Sequence, residues 1–250
     1  MALWSSDDPQ RWEAQLAGYA GAVAGLGRVS KEGAKLVDLD RWFHDDLPAE
    51  LAALADSGRP AKLTSAQLVK LVDWKLTRGK WRPRLLGFAK DLPAAQVEAA
   101  SQAAFDLLAP HRGKEAPAQA IKQALDALCV LKGVGPATAS AVLEAFDPSI
   151  PFLSDEAQQA ALCTKDYTVK AVQQLAVALR GKAKQLRAAG ERQWTAKEVE
   201  QCLFASAVGG GGGGGPKAVA GGKGSGKRKS GGGEAAAEPE AGSDAAKRKR

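Results

Sequence analysis

A Gly-Val-Gly triplet at residues 133–135 places the strongest constraint on how this 250-residue chain can fold. Apolar residues at helical spacing precede it, and Pro136 follows at a position where a helix loses nothing by lacking an amide hydrogen. Glycine adopts positive φ and leaves the backbone bare, so it allows a sharp reversal. The pattern therefore predicts two helices, over residues 116–131 and 136–146, joined by a tight hairpin.

The segment fits the helix-hairpin-helix motif, apolar-x-x-apolar-x-Gly-apolar-Gly-x-x-x-Ala-x-x-apolar, at every position. Bare amides at the start of a helix form a site for anions, and phosphate contacts hold a nucleic acid without reading its sequence. We therefore expect double-stranded DNA to contact the hairpin residues, which are Lys132, Gly133, Val134, Gly135 and Thr138. The alternative is a glycine turn that only packs two core helices against each other.

The sequence before residue 209 is typical of helix throughout. Alanine and leucine dominate it, and runs of β-branched residues are rare. Proline, glycine and candidate N-capping residues divide it into roughly ten helices. We therefore predict an all-α fold, a compact helical bundle that forms one domain over residues 1–208.

The composition changes at Gly209, where seven consecutive glycines begin a segment without aromatic residues. Such a segment cannot bury enough surface to fold, which predicts a disordered tail over residues 209–250. The tail contains nine lysines and arginines and four acidic residues, so it carries +5 of the chain's formal charge of +7. The first 208 residues are therefore almost neutral, and a nucleic-acid contact there needs a local basic patch.

Two basic clusters in this tail indicate nuclear-localisation signals or nonspecific nucleic-acid contacts. The alternative is that their charge only solubilises a glycine-rich end. On the first interpretation we expect a nuclear protein that binds the nuclear import machinery. The cluster residues are Lys227, Arg228, Lys229, Lys247, Arg248, Lys249 and Arg250.

Several classes of protein are disfavoured by simple counts. The three cysteines are far apart and show no metal-ligand spacing, so we expect no metal and no cofactor. There is no apolar stretch of eighteen residues and no signal-peptide pattern, so we expect no membrane partner. We expect an intracellular monomer with reduced thiols.

A second motif follows the hairpin at residues 150–156, where Asp155 lies twenty positions after Gly135. Pro151 and two apolar residues precede that aspartate. With residues 67–76 matching an early buried helix, the chain resembles a divergent member of the helix-hairpin-helix DNA glycosylase superfamily over about residues 60–165. The superfamily includes endonuclease III and 8-oxoguanine glycosylase.

The resemblance implies a role in base-excision DNA repair, because an essential aspartate follows the hairpin at this distance in the family. Asp155 would then be the catalytic carboxylate. It would stabilise the oxocarbenium-like sugar that forms when the N-glycosidic bond of a flipped, damaged base breaks.

The sequence also departs from the family pattern. The position of the lysine used by members with lyase activity holds Ala137, so the resemblance implies a monofunctional glycosylase without lyase chemistry at that residue. Ala157 replaces a common histidine, and the four-cysteine iron–sulfur loop is absent. Asp155 with Gln158 also fits a helix capping box. A non-catalytic DNA-binding module and a helical interaction scaffold therefore remain alternatives.

A third feature is a run of basic residues around Trp81, on a segment interrupted by glycine and proline. Basic groups on such a loop suit phosphate contacts, and a tryptophan can stack on a displaced base. We expect these side chains to contact DNA, with a solvated loop as the alternative. They are Arg78, Lys80, Arg82 and Arg84.

Overall fold

Helices form where alanine- and leucine-rich segments lie between glycine, proline or N-capping residues. The computed structural model describes residues 2–209, so the predicted tail and its basic clusters at 227–229 and 247–250 lie outside the described residues. The helices of the described part are α1 (Pro9–Ala17), α2 (Tyr19–Gly25), α3 (Leu36–Arg41), α4 (Leu47–Asp56), α5 (Ser65–Arg78), α6 (Pro83–Asp91), α7 (Ala94–Leu108), α8 (Ala118–Cys129), α9 (Pro136–Phe146), α10 (Asp155–Leu162), α11 (Val169–Ala189) and α12 (Ala196–Gly209).

The predicted all-α bundle is confirmed. Across residues 2–209 the backbone forms no strand, and its one isolated β-bridge joins Val29 to Lys35. A π-helical turn, Trp42–Asp46, connects α3 to α4 without a break in the chain's helical course. None of the helices in this part of the chain is both long enough and apolar enough to cross a bilayer.

The helices share one core built around aromatic side chains. Trp74 of α5 is completely buried and stacks on Phe43, with ring centroids 3.7 Å apart. Its ring also lies 5.2 Å from Phe152, in the segment that connects α9 to α10. The indole N–H of Trp74 donates to Asp40, which satisfies the polar end of a buried side chain. The centre of α5 is therefore fixed against the segment that leads to Asp155.

A buried ion pair fixes the end of the same helix. Arg78 and Glu200 of α12 are 2 % and 1 % exposed, and one guanidinium nitrogen lies 2.9 Å from both carboxylate oxygens. The guanidinium also lies 3.8 Å from the ring centroid of Phe204 and 5.4 Å from that of Phe152. Burial raises the pKa of Glu200, while Arg78 and the hydroxyl of Ser154 oppose that shift.

Breaking this pair is expected to destabilise the domain more than removing any surface charge. Arg78→Met leaves Glu200 buried without its cation, which costs about 3–5 kcal/mol of unfolding free energy. Chemical denaturation measures the loss. Arg84→Met is the matched control, because that arginine is exposed and its removal is expected to leave stability nearly unchanged.

A double variant separates the charge effect from packing. Arg78→Met combined with Glu200→Met is expected to recover most of the lost stability, since no buried charge is then left unpaired. A double variant as unstable as Arg78→Met alone would show that the arginine acts through its shape and not its charge.

Candidate nucleic-acid interface

The predicted hairpin is present between α8 and α9. The Leu131 amide donates to Leu128 and the Val134 amide donates to Leu131, at 3.1 and 3.0 Å, so the chain reverses in a tight turn. The amides of Thr138 and Ala139 are the first to bond back, both to the Gly135 carbonyl at 2.9 Å. The amides of Gly135 and Ala137, which come before them, therefore have no hydrogen-bond partner within α9.

Gly133 is the glycine that the turn requires. Its φ is +85°, a conformation that side chains with a Cβ rarely adopt. A Cβ built there would lie 2.7 Å from the Cβ of Phe88 in α6, which is too close for any real contact. The hairpin backbone thus packs directly on α6, and Lys132 extends over the Phe88 ring with its ammonium 4.8 Å from the centroid.

The hairpin residues predicted to contact DNA divide into two groups. Lys132 and Gly135 are exposed. Val134 and Thr138 are 6 % and 3 % exposed, because their side chains face the core between α8 and α9. Their side chains are therefore not available to DNA, and the predicted contact at these two residues would use the backbone.

The residues of the predicted basic run also fall into a buried group and an exposed group. The expectation that Arg78 contacts DNA is wrong, since its guanidinium is buried and paired with Glu200. Lys80, Arg82 and Arg84 are exposed on the short loop before α6 and on its first turn. Together with Lys132 they form what we call the basic edge.

Asp155 occupies the first position of α10 and is not its cap. The Ser154 hydroxyl accepts the hydrogen bond from the Ala157 amide at 3.2 Å and so caps the helix. The Gln158 amide oxygen instead accepts from the Asp166 amide, so the alternative capping box of Asp155 with Gln158 does not form. The Asp155 carboxylate is therefore not needed to cap α10.

The Asp155 carboxylate is 42 % exposed and has two polar neighbours. One oxygen accepts a hydrogen bond from the Tyr167 hydroxyl at 2.6 Å, and the other lies 3.8 Å from the ammonium of Lys165. Burial, together with the hydrogen bond to and the charge of Asp155, raises the pKa of Tyr167 to about 12. The phenol therefore keeps its proton and acts as a donor to Asp155 at neutral pH.

Helix α6 connects the hairpin to Asp155. Its Phe88 packs on Gly133, and Arg82, its N-terminal flanking residue, places its guanidinium 5.7 Å from the ring centroid of Tyr167. Tyr167 in turn holds the Asp155 carboxylate. The hairpin, the basic edge and Asp155 thus form a continuous series of contacts.

Three neighbours of Asp155 were not expected from the sequence. Tyr167 and Lys165 lie on the loop after α10, which carries no motif. Lys75 of α5 is half-buried and close enough for the charges of Asp155 and Arg82 to shift its pKa. Burial and the charge of Arg82 lower the pKa of Lys75 and the charge of Asp155 opposes that shift, but nothing in the local sequence indicated this interaction.

A metal site finds no support in the described residues. Among residues 2–209, no group of three or more histidine, cysteine, aspartate and glutamate side chains is arranged to hold a metal ion. Comparisons of the chain with protein-family models, with curated proteins and with solved structures find no match.

The two hairpin glycines are expected to respond differently to the same substitution. Gly133→Ala forces a Cβ against Phe88 at a positive φ and is expected to cost about 1–3 kcal/mol of unfolding free energy. Gly135→Ala, with φ at −101° and open space around its Cβ, is expected to change stability little. Thermal and chemical denaturation compare them. Equal losses would contradict the packing of Gly133 on α6.

Proposed function

We propose that this chain is a DNA-binding protein that holds the phosphate backbone of duplex DNA with its hairpin and basic edge. The observation that carries the proposal is the packing of Gly133 on Phe88, which holds the hairpin backbone against α6. Lys132 lies over Phe88 of α6, and the exposed Lys80, Arg82 and Arg84 lie just before α6 and on its first turn. Phosphate contacts of this kind are independent of base sequence.

The charge distribution supports a local contact. The first 208 residues carry a net charge of only +2, since the tail holds +5 of the total +7. A nearly neutral domain attracts DNA only through a concentrated patch, and the basic edge is such a patch. The tail's basic clusters add long-range attraction, and we propose that they also direct the protein to the nucleus through the import machinery.

We further propose that Asp155 is the catalytic carboxylate for hydrolysis of an N-glycosidic bond. Base removal develops positive charge on the sugar, and a nearby carboxylate stabilises that charge and activates water. Asp155 is reachable from solvent and is connected to the basic edge through Tyr167 and Arg82. DNA held at the edge would therefore lie beside this carboxylate. The reaction needs neither a metal nor a cofactor.

One observation favours a second candidate function, a DNA-binding module without catalysis. Both Asp155 oxygens already have neighbours, the Tyr167 hydroxyl and the Lys165 ammonium. In that case Asp155 would only hold the loop after α10 in place. Base release from damaged DNA distinguishes the two candidates.

Neutralising the basic edge is expected to weaken DNA binding in a salt-dependent way. Each of Arg82→Gln, Arg84→Gln and Lys132→Gln removes about one phosphate contact, so the slope of log affinity against log salt should fall by roughly one. Titration of a fluorescent duplex at several salt concentrations measures it.

Lys184→Gln is the matched control, because this exposed lysine lies on α11 and pairs with Glu115. It should leave the slope unchanged. Wild-type slopes in all three edge variants would place the DNA elsewhere on the protein.

Asp155→Asn is expected to abolish base release while leaving folding and duplex binding intact. The carboxylate charge that stabilises the sugar is lost, but the size of the side chain is retained. The assay scores abasic sites in duplexes with alkylated, oxidised, deaminated and mismatched bases. Asp126→Asn, an exposed carboxylate paired with Lys122, is the matched control.

Base release by Asp155→Asn at the wild-type rate would contradict the catalytic assignment. If the wild-type protein binds duplex DNA but releases no base from any substrate in the panel, the non-catalytic module is the correct function.

A further inference from the structure

A second polar cluster is buried in the core around His44, which lies in the π-helical turn Trp42–Asp46. His44 is 9 % exposed and Glu144 of α9 is 2 % exposed. Nδ1 of His44 lies 3.8 Å from Oε1 of Glu144, and neither atom has a hydrogen-bond partner within residues 2–209. A buried polar atom without a partner costs free energy, and here two such atoms lie side by side.

The hydrogen bonds around His44 determine which of its nitrogens carries a hydrogen. The Tyr19 hydroxyl donates its one hydrogen to Asp40 at 3.0 Å. The Tyr19 oxygen lies 3.1 Å from Nε2 of His44, so it accepts a hydrogen from that nitrogen. Burial and the charges of Lys197 and Arg78 lower the pKa of His44, so the ring is neutral and has a single N–H. Its Nδ1 is therefore an acceptor without a donor.

Glu144 can supply that donor from only one of its two oxygens. Oε2 accepts a hydrogen bond from the Phe152 amide at 2.7 Å, so a proton on the carboxyl group would be carried by Oε1. Burial and the charge of Glu200 raise the pKa of Glu144 to about 7. A glutamic acid with its hydrogen on Oε1 is the donor that Nδ1 of His44 lacks.

We propose that Glu144 carries a proton on Oε1 and donates it to Nδ1 of His44, and that this shared proton joins the π-helical turn to α9. The gap of 3.8 Å closes to ordinary hydrogen-bond length when the proton lies between the two atoms. The contact is sensitive to pH, because loss of the proton leaves two opposed lone pairs and a buried carboxylate. It goes beyond the proposed function and needs neither DNA nor base release.

The groups around the pair act in both directions. The Glu200 carboxylate disfavours an ionised Glu144, whereas the charges of Lys197 and Arg78 favour it. Lys197 also donates to the His44 carbonyl at 2.8 Å, and its charge disfavours an imidazolium. Since the pKa of His44 is lowered and that of Glu144 is raised, the proton resides on Glu144. The titratable and charged groups that face the pair are Tyr19 of α2, Asp40 of α3, Arg78 of α5, and Lys197 and Glu200 of α12.

Nitrogen-15 NMR of the full-length protein, labelled at histidine, tests the inference. The chain has two histidines, and His111→Gln identifies the signals of His44. We expect one N–H on His44, at Nε2, and at low pH an Nδ1 signal at the position of a hydrogen-bonded acceptor. This signal should move to the position of a free acceptor as the pH rises through about 7.

Glu144→Gln separates Glu144 from the neighbouring acids, because an amide N–H can replace the O–H of the acid. We expect this variant to fold and to keep the hydrogen-bonded Nδ1 signal at every pH tested. Glu98→Gln is the matched control, because that partly exposed carboxylate pairs with Lys62. It should show the wild-type transition.

The same proton affects stability. The unfolded chain releases it at the ordinary pKa of 4.5 and the native protein at a pKa of about 7, so the native state binds more protons between these values. Wild type should therefore lose stability relative to Glu144→Gln as the pH rises through this range. The unfolding equilibrium constant should change by up to about tenfold for each pH unit, and the difference should be constant above the range.

Two results for His44 would overturn the inference. One is an Nδ1 signal that stays at the free-acceptor position at every pH, and the other is a ring with both nitrogens protonated at neutral pH. A transition near pH 7 that persists in folded Glu144→Gln would also overturn it, since the proton would then belong to another group. If Glu144→Gln does not fold, the His44 signals of the wild-type protein decide the question alone.

Discussion

The ion pair between Arg78 and Glu200 is the interaction on which the site depends. It joins α5 to α12 across 122 positions of sequence, and its aromatic surroundings include Phe152 and Phe204. A buried pair gives little net stability compared with apolar residues of similar size, but losing one partner is costly. Its role here is positional, because it fixes α5 and the start of α10 relative to one another. The start of α10, where Asp155 lies, is therefore tied to α5.

A second constraint fixes the hairpin relative to α6. Because Gly133 has no Cβ, its backbone approaches Phe88 closely, and the turn that precedes α9 packs against α6. Arg82 at the beginning of α6 reaches toward Tyr167, which holds Asp155. The packing of Gly133 on α6 and the buried ion pair at the end of α5 therefore help to fix where the hairpin and Asp155 lie.

Local patterns were sufficient to predict the helices but not the surroundings of their side chains. The hairpin, α9 and the all-α class follow from glycine, proline and apolar spacing, which act over a few residues. The burial of Arg78 depends on Glu200 far along the chain, so the basic run could not show which arginine turns inward. The same holds for Asp155, since the Tyr167 hydroxyl donates to it only in the folded chain. The burial of the Thr138 side chain was likewise not indicated by its position in the motif.

Hydrogen exchange of the protein with and without duplex DNA maps the proposed contact surface without any substitution. If the hairpin and the basic edge hold DNA, a nonspecific duplex slows exchange together in the hairpin, residues 130–137, and in the basic loop with the first turn of α6, residues 79–86. Amides of α11 should be unaffected. Protection confined to α11, or a bound complex in which residues 130–137 exchange as in the free protein, would contradict a DNA interface formed by the hairpin and the basic edge.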